Sequence, residues 1–253
     1  MTLFRPQRYA DGDLVEVAGG RVRLRVSLRA RRVSLRLDTT RGEVIATAPS
    51  VRRLAEAVAF AVERTTWVSA QTARLPAGQP IRPGLMIEVL GRPHRLEQGS
   101  GRARWRTPAA GAPGALVVPG EGQAYARGVL RALKAEAVRV LTERTRVHAE
   151  AVARPMPTVA VMDAKARWGS CKPPRRAGFG AAVEVGRIRY SWRLVLAPEA
   201  VLDYVAAHEC AHLVEANHSP RFWAVVAGLV GDPSRHRAWL REHGPRLHAF
   251  GRE

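Results

Sequence analysis

His208 and His212 stand four residues apart, with Glu209 directly after the first. On a helix, positions i and i+4 share a face, so both imidazoles can reach one ion. A third histidine, His218, follows six residues later. Three imidazoles leave one position of a tetrahedral zinc ion open to water, which is the pattern of a catalytic site rather than a closed structural one. A glutamate between the two histidines is placed to act as general base in such a site. The chemistry expected is hydrolysis of an amide: water attacks the carbonyl, and Glu209 carries its proton to the leaving amine.

The elements around these residues must deliver that geometry. A regular helix would turn His218 about 120° away from His212, so the chain has to leave the helix between them. The helix is expected to end near Ala216 or Asn217, with Asn217 suited to a left-handed exit. Ser219-Pro220 then reads as an N-cap followed by proline in the first turn of a new helix. Phe222, Trp223, Val226 and Leu229 form its apolar stripe, and Gly231-Asp232-Pro233 ends it. A last short helix is expected through Ala238, Trp239 and Leu240 to a stop at Gly244. Upstream, 187–196 alternates apolar and polar residues, predicting a strand before the histidine helix. If that strand is an exposed edge, an extended peptide could pair with it. Tyr190, Arg193, Arg221 and His243 are candidate substrate-binding or oxyanion-supporting donors, and residue type does not select among them. Cys210 sits about 200° around the helix from each histidine and is expected to be a buried thiol.

The rest of the chain reads as α+β. The segments 21–28, 32–37 and 43–47 are short strands, the first with arginines alternating with Val22, Leu24, Val26 and Leu28. A long helix is expected over 51–73, capped by Ser50, with Leu54, Ala57, Val58, Ala61, Val62 and Val68 on one face. A hairpin follows around Gly91, then a Gly/Ala/Arg-rich stretch at 99–120 that is a candidate insertion, closing on a strand at 115–118. A second long helix spans 121–153 and ends at Pro155 and Pro157. Strands at 159–162 and 178–183 flank Trp168-Gly169-Ser170-Cys171. This pattern predicts a strand-rich region over 1–120 and a helical catalytic region over 121–253, packed as one unit, with no regular series of crossover units.

Composition narrows the classes. The 253 residues carry 41 basic and 22 acidic side chains, for a net charge of +19, and only three of the basic residues are lysine. That balance favours encounters with nucleic acid or acidic surfaces. No helix-turn-helix or finger motif supplies a specific nucleic-acid reader. Two cysteines, Cys171 and Cys210, make no disulfide framework. The first 20 residues lack a secretory apolar core, and no apolar run is long enough to span a membrane, so a cytoplasmic location is expected.

The RWGSC motif at 167–171, RYSWRLVLAP ending at Pro198, DYVAAHECAHLVEANHSPRFW at 203–223 and the later Trp239-Leu240 pair resemble the YgjP-like metallopeptidase domain family. The early arginine-rich strands and the long helix before Pro155 resemble it too. The resemblance implies a compact zincin-like fold, related in motif organisation to WLM and SprT-like proteases. It also implies a zinc ion on His208, His212 and His218, Glu209 as catalytic glutamate, and a protein or peptide substrate cut by endopeptidase action. Trp168, Gly169, Ser170 and Cys171 match a motif of that family. Relatives in the WLM and SprT-like groups act on DNA-associated proteins, which by analogy gives the basic surface a role. Glu215 occupies the glycine position of the metzincin HExxHxxGxxH pattern, so the chain departs from that group. The alternative is a basic nucleic-acid-binding or interaction protein with a structural zinc site and no turnover.

Overall fold

A computed structural model describes residues 8–38, 41–73, 75–107, 109, 111–164, 167–174 and 185–252. Contacts divide the chain into two compact units, Met1–Gln79 with His248–Glu253, and Pro80–Leu247.

The first unit is a four-stranded sheet backed by helices. Strands β1 (Leu14–Val17), β2 (Gly20–Val26), β3 (Ser34–Asp38) and β4 (Glu43–Ala48) lie in the order β1-β2-β4-β3, with β2 and β4 parallel and the other pairs antiparallel. The period-two pattern of β2 sends Val22 and Leu24 into the core and Arg21 and Arg25 to solvent, as the alternation predicts. The helix expected over 51–73 is in fact two. A 3-10 turn at Val51–Arg53 precedes α1 (Leu54–Glu63), and α2 (Thr65–Ala73) follows a break at Arg64. Ser50 makes no capping side-chain bond. At the break, Thr65 Oγ1 donates to the Val62 carbonyl, a local bond that competes with the helical ladder. Leu54, Ala57, Ala61 and Val68 are buried against the sheet, whereas Val62 faces solvent and Trp67 lies at the rim.

The second unit begins at Pro80. Strands β5 (Met86–Val89), β6 (Arg92–Gln98), β7 (Arg104–Arg106) and β8 (Gly114–Val118) form a sheet in the order β5-β6-β8-β7. The hairpin turns at Leu90-Gly91, as expected. Within the 99–120 stretch, β8 is buried along its whole length and pairs with both β6 and β7. That sheet packs against the long helix α3 (Gly122–Ala151), which explains why it joins this unit. Helix α3 spans about 45 Å and buries Val129, Leu133, Ala137, Val140 and Leu141 on one stripe, with Leu130 half-buried beside it.

A third sheet carries the residues nearest the histidines. Strands β9 (Thr158–Met162), β10 (Gly169–Lys172) and β11 (Arg187–Ser191) run in the order β10-β11-β9. The strand expected over 187–196 therefore stops at Ser191, and Trp192–Leu196 is a 3-10 turn, all of it buried. Nor is β11 an edge: it pairs antiparallel with β10 and parallel with β9. The strand expected at 178–183 lies outside the described residues. Helices α4 (Glu199–Ala211), α5 (Pro220–Val230) and α6 (Ser234–Ala249) complete the chain.

Helix α6 does not stop at Gly244. It runs through Gly244 and Pro245, although proline removes one helical hydrogen bond. The glycine serves packing instead. A Cβ at Gly244 would lie 2.9 Å from Trp168 Cζ2, so only a bare α-carbon lets the indole seat against α6. Among the described residues, no helix is long and apolar enough to cross a membrane.

Candidate metal centre

Helix α4 is the platform. It is buried on almost all sides, through Val201, Leu202, Tyr204, Val205, Ala206, Ala207, Cys210 and Ala211. Polar bonds to α3 set its rotation. His148 Nε2 lies 2.7 Å from Asp203 Oδ1, Arg144 pairs with Glu199, and Cys210 Sγ lies 3.7 Å from the Thr145 carbonyl. Cys210 thus points into the α3 contact, away from the histidines, as its helical position predicts. Burial pushes its thiol up to about 12, with Cys171 and Glu209 adding to the effect.

The helix ends earlier than expected, at Ala211. His212 is its C-cap but keeps helical dihedrals (φ −68°, ψ −14°), so the i,i+4 relation to His208 survives. The chain then tightens, with Leu213 N donating to Cys210 O and Val214 N to Ala211 O. Asn217 is not among the residues with positive φ, so the exit needs no left-handed residue. The restart is as predicted: Ser219 Oγ accepts from Phe222 N at 3.3 Å, and Pro220 opens α5.

This turn brings the three histidines together. Their candidate ligand atoms all lie within 4.8 Å of one another, and His208 Nε2 and His218 Nε2 are 3.1 Å apart. Two ring nitrogens so close need a shared proton or a shared cation. Tetrahedral zinc with Zn–N bonds of about 2.0–2.1 Å would separate its nitrogens by about 3.3–3.4 Å, so the His208–His218 pair fits zinc with small adjustment. His212 Nδ1 donates to the Glu215 carbonyl at 3.1 Å, which fixes the ring and leaves Nε2 free for a metal. Glu215 contributes through its backbone, so a glycine is not required there. Burial, then the neighbouring His212 and His218, and last Arg237 hold His208 down to about 4. The ring is therefore neutral and ligand-ready at neutral pH.

Glu209 is 5% exposed, and its Oε2 is buried with no hydrogen-bond partner. Burial raises its carboxyl to about 7, partly offset by the positive charge of Arg167. Strand β10 covers it. A Cβ at Gly169 would lie 2.6 Å from Glu209 Cδ and closer still to Oε1. The glycine of the Trp-Gly-Ser-Cys motif thus makes room for the carboxylate. Trp168 packs on Gly244, and its carbonyl accepts from Ser191 N, so both ends of that contact are held. Ser170 pairs in register with Arg189. Cys171 is half-buried, and burial followed by Glu209 pushes its thiol up to about 12, so it stays protonated.

The four candidate donors do not converge. Tyr190 is fully buried, its hydroxyl 2.9 Å from Thr145 Oγ1, and burial raises its pKa well above the usual value. Arg193 is buried too, paired with Asp163 and lying over the Trp192 ring, because the 3-10 turn aims it at the end of β9. Arg221 is exposed in the first turn of α5. His243 packs on Trp239 at 4.6 Å. Among the described residues, no hydrogen bond, ion pair or ring contact joins any of the four to the three histidines.

Other residues occupy those places. Phe222, fully buried, packs on His208, His212 and His218 with ring centroids 4.9, 4.5 and 4.7 Å away. Trp223 stacks on His218 at 5.8 Å, and Tyr204 lies 6.0 Å from His208. The sequence signal was the Ser219-Pro220 restart, which fixes where the first turn of α5 faces.

Three convergent imidazoles, carried by a helix and the turn after it beside a small sheet, define a metallopeptidase-type domain of generally zincin-like architecture. The chain belongs to the YgjP-like family: the family model described as YgjP-like, metallopeptidase domain matches residues 31–243. No curated protein and no solved structure matches it.

Proposed function

We propose that the chain is a zinc-dependent endopeptidase in which His208, His212 and His218 hold the metal and Glu209 is the general base. The observation that carries this reading is the buried carboxylate of Glu209, unpartnered at Oε2, on the same helix as two of three convergent imidazoles. Bound zinc would supply Lewis acidity, acidifying water and polarising a carbonyl. Glu209 takes a proton from the attacking water and returns it to the leaving amine, a task suited to a carboxyl raised to about 7. Phe222 backs the three rings and limits water on their far side. The peptide pairs with β10 rather than β11: among the described residues β10 ends the sheet order, and it packs on α4. Strand addition there would run substrate backbone past Glu209. Metal analysis with cleavage assays tests the reading. Wild type and Glu209→Gln are each expected to hold about one zinc, with hydrolysis only in the wild type. A wild type unable to take up zinc contradicts the metal assignment, and full turnover in Glu209→Gln contradicts the role of the base.

A further inference from the structure

The surroundings of the histidines are positively charged on two sides. Helix α6 reaches from α5 to the start of β10. Near its beginning, the Arg237 guanidinium sits 4.7 Å from the centroid of Trp223, whose ring stacks on His218. In its later half, Gly244 receives the Trp168 ring. Arg167, exposed, immediately precedes Trp168. Arg167 stands two residues before Gly169, which packs on Glu209. Each cation therefore lies within electrostatic reach of a different part of the centre. Among the described residues, neither Arg237 nor Arg167 forms an ion pair with a carboxylate. Five other described arginines of this unit do form ion pairs: Arg106 with Glu97, Arg139 with Glu136, Arg144 with Glu199, Arg146 with Glu143 and Arg193 with Asp163.

We infer that Arg237 is a specificity-determining residue that binds a carboxylate of the substrate, so that the site selects peptides with an acidic group near the scissile bond. A guanidinium held over an indole can keep N–H groups free for bidentate contact with a carboxylate. Arg167, exposed just before Trp168, adds long-range attraction for the same charge. The carboxylate is either an aspartate or glutamate side chain or the chain's own C-terminus. This inference rests on the metallopeptidase reading for what happens after binding, but not for the binding preference itself.

Fluorescence anisotropy on zinc-loaded Glu209→Gln protein tests it with turnover suppressed. The probes are labelled peptides of one sequence carrying Asp, Asn or Lys at a central position, each with a free or an amidated C-terminus. The Asp peptide is expected to bind about tenfold more tightly than the Asn peptide. If the preference instead follows the free C-terminus, that carboxylate is the ligand. Adding Arg237→Gln should remove the acidic preference while leaving the Asn peptide unchanged, and Arg237→Glu should favour the Lys peptide. Equal binding of acidic and neutral peptides, or equal losses for both in Arg237→Gln, would overturn the inference. Cleavage of the same peptides by wild type reads the other question. A preserved binding preference without any cleavage would refute the peptidase reading and leave the carboxylate site standing.

Discussion

Each unit buries a glutamate, and the two are treated in opposite ways. Glu43 in the first unit is 3% exposed and fully paired: Arg23 Nε and Nη2 donate to it at 2.7 and 2.9 Å, and Arg21 approaches at 3.2 Å. Glu209 in the second unit is 5% exposed, yet its Oε2 has no partner and its carboxyl is raised to about 7. Burying a carboxylate is costly unless it is hydrogen-bonded. One unit offsets that cost with arginines. The other leaves it standing beside three imidazoles, where a group poised to exchange a proton is useful. Under the proposed function, the difference separates a buried charge that holds a fold from one kept for chemistry.

That contrast can be broken at several points. The largest effect expected is on turnover: Glu209→Gln should lower kcat/KM by about a thousandfold, read in steady-state assays, with zinc content kept. The same substitution should stabilise the metal-free protein. A carboxyl at about 7 when folded, against 4.5 as its ordinary value, binds more protons folded than unfolded. Its burden therefore grows as pH rises through that window and is complete above pH 7. Thermal melts should then show Glu209→Gln more stable than wild type at pH 8, by on the order of 3 kcal/mol, and nearly equal at pH 4. Glu43→Gln should do the reverse. It removes a paired charge and lowers stability by about 2 kcal/mol in urea melts. The smallest effect tests the strand over the carboxylate. Gly169→Ala should cut kcat about tenfold, a barrier change of about 1.4 kcal/mol, because the new methyl displaces Glu209; its melting temperature should move far less.

Much of the metal centre was legible because its constraints are local. The i,i+4 pair, and Ser219-Pro220 as a helix restart, involve neighbours in the chain, and both stand as read. The parts that were misread depend on distant residues. The sequence leaves open whether the strand read at 187–196 is an edge, because its partners β9 and β10 come from separate segments, and no alternation of residues reveals strand order. Gly244 and Pro245 looked like a stop, and contact with Trp168 overrode local propensity. Gly169 gave no sign of its role, because the carboxylate that needs the space belongs to another element. Tyr190 and Arg193 have suitable donors by type, but Thr145 and Asp163 occupy them. Most of the strands and helices followed from periodicity. The break at Arg64 did not, because a threonine side-chain bond leaves no trace in an apolar pattern.

X-ray absorption of the zinc-loaded protein tests the metal centre most directly. Three imidazole nitrogens and one oxygen at about 2.0–2.1 Å are expected, with no sulfur in the first coordination shell. The His218→Ala protein should lose one imidazole from that set. A sulfur at about 2.3 Å, bringing Cys171 into the site, or a spectrum unchanged in His218→Ala, would contradict a three-histidine centre.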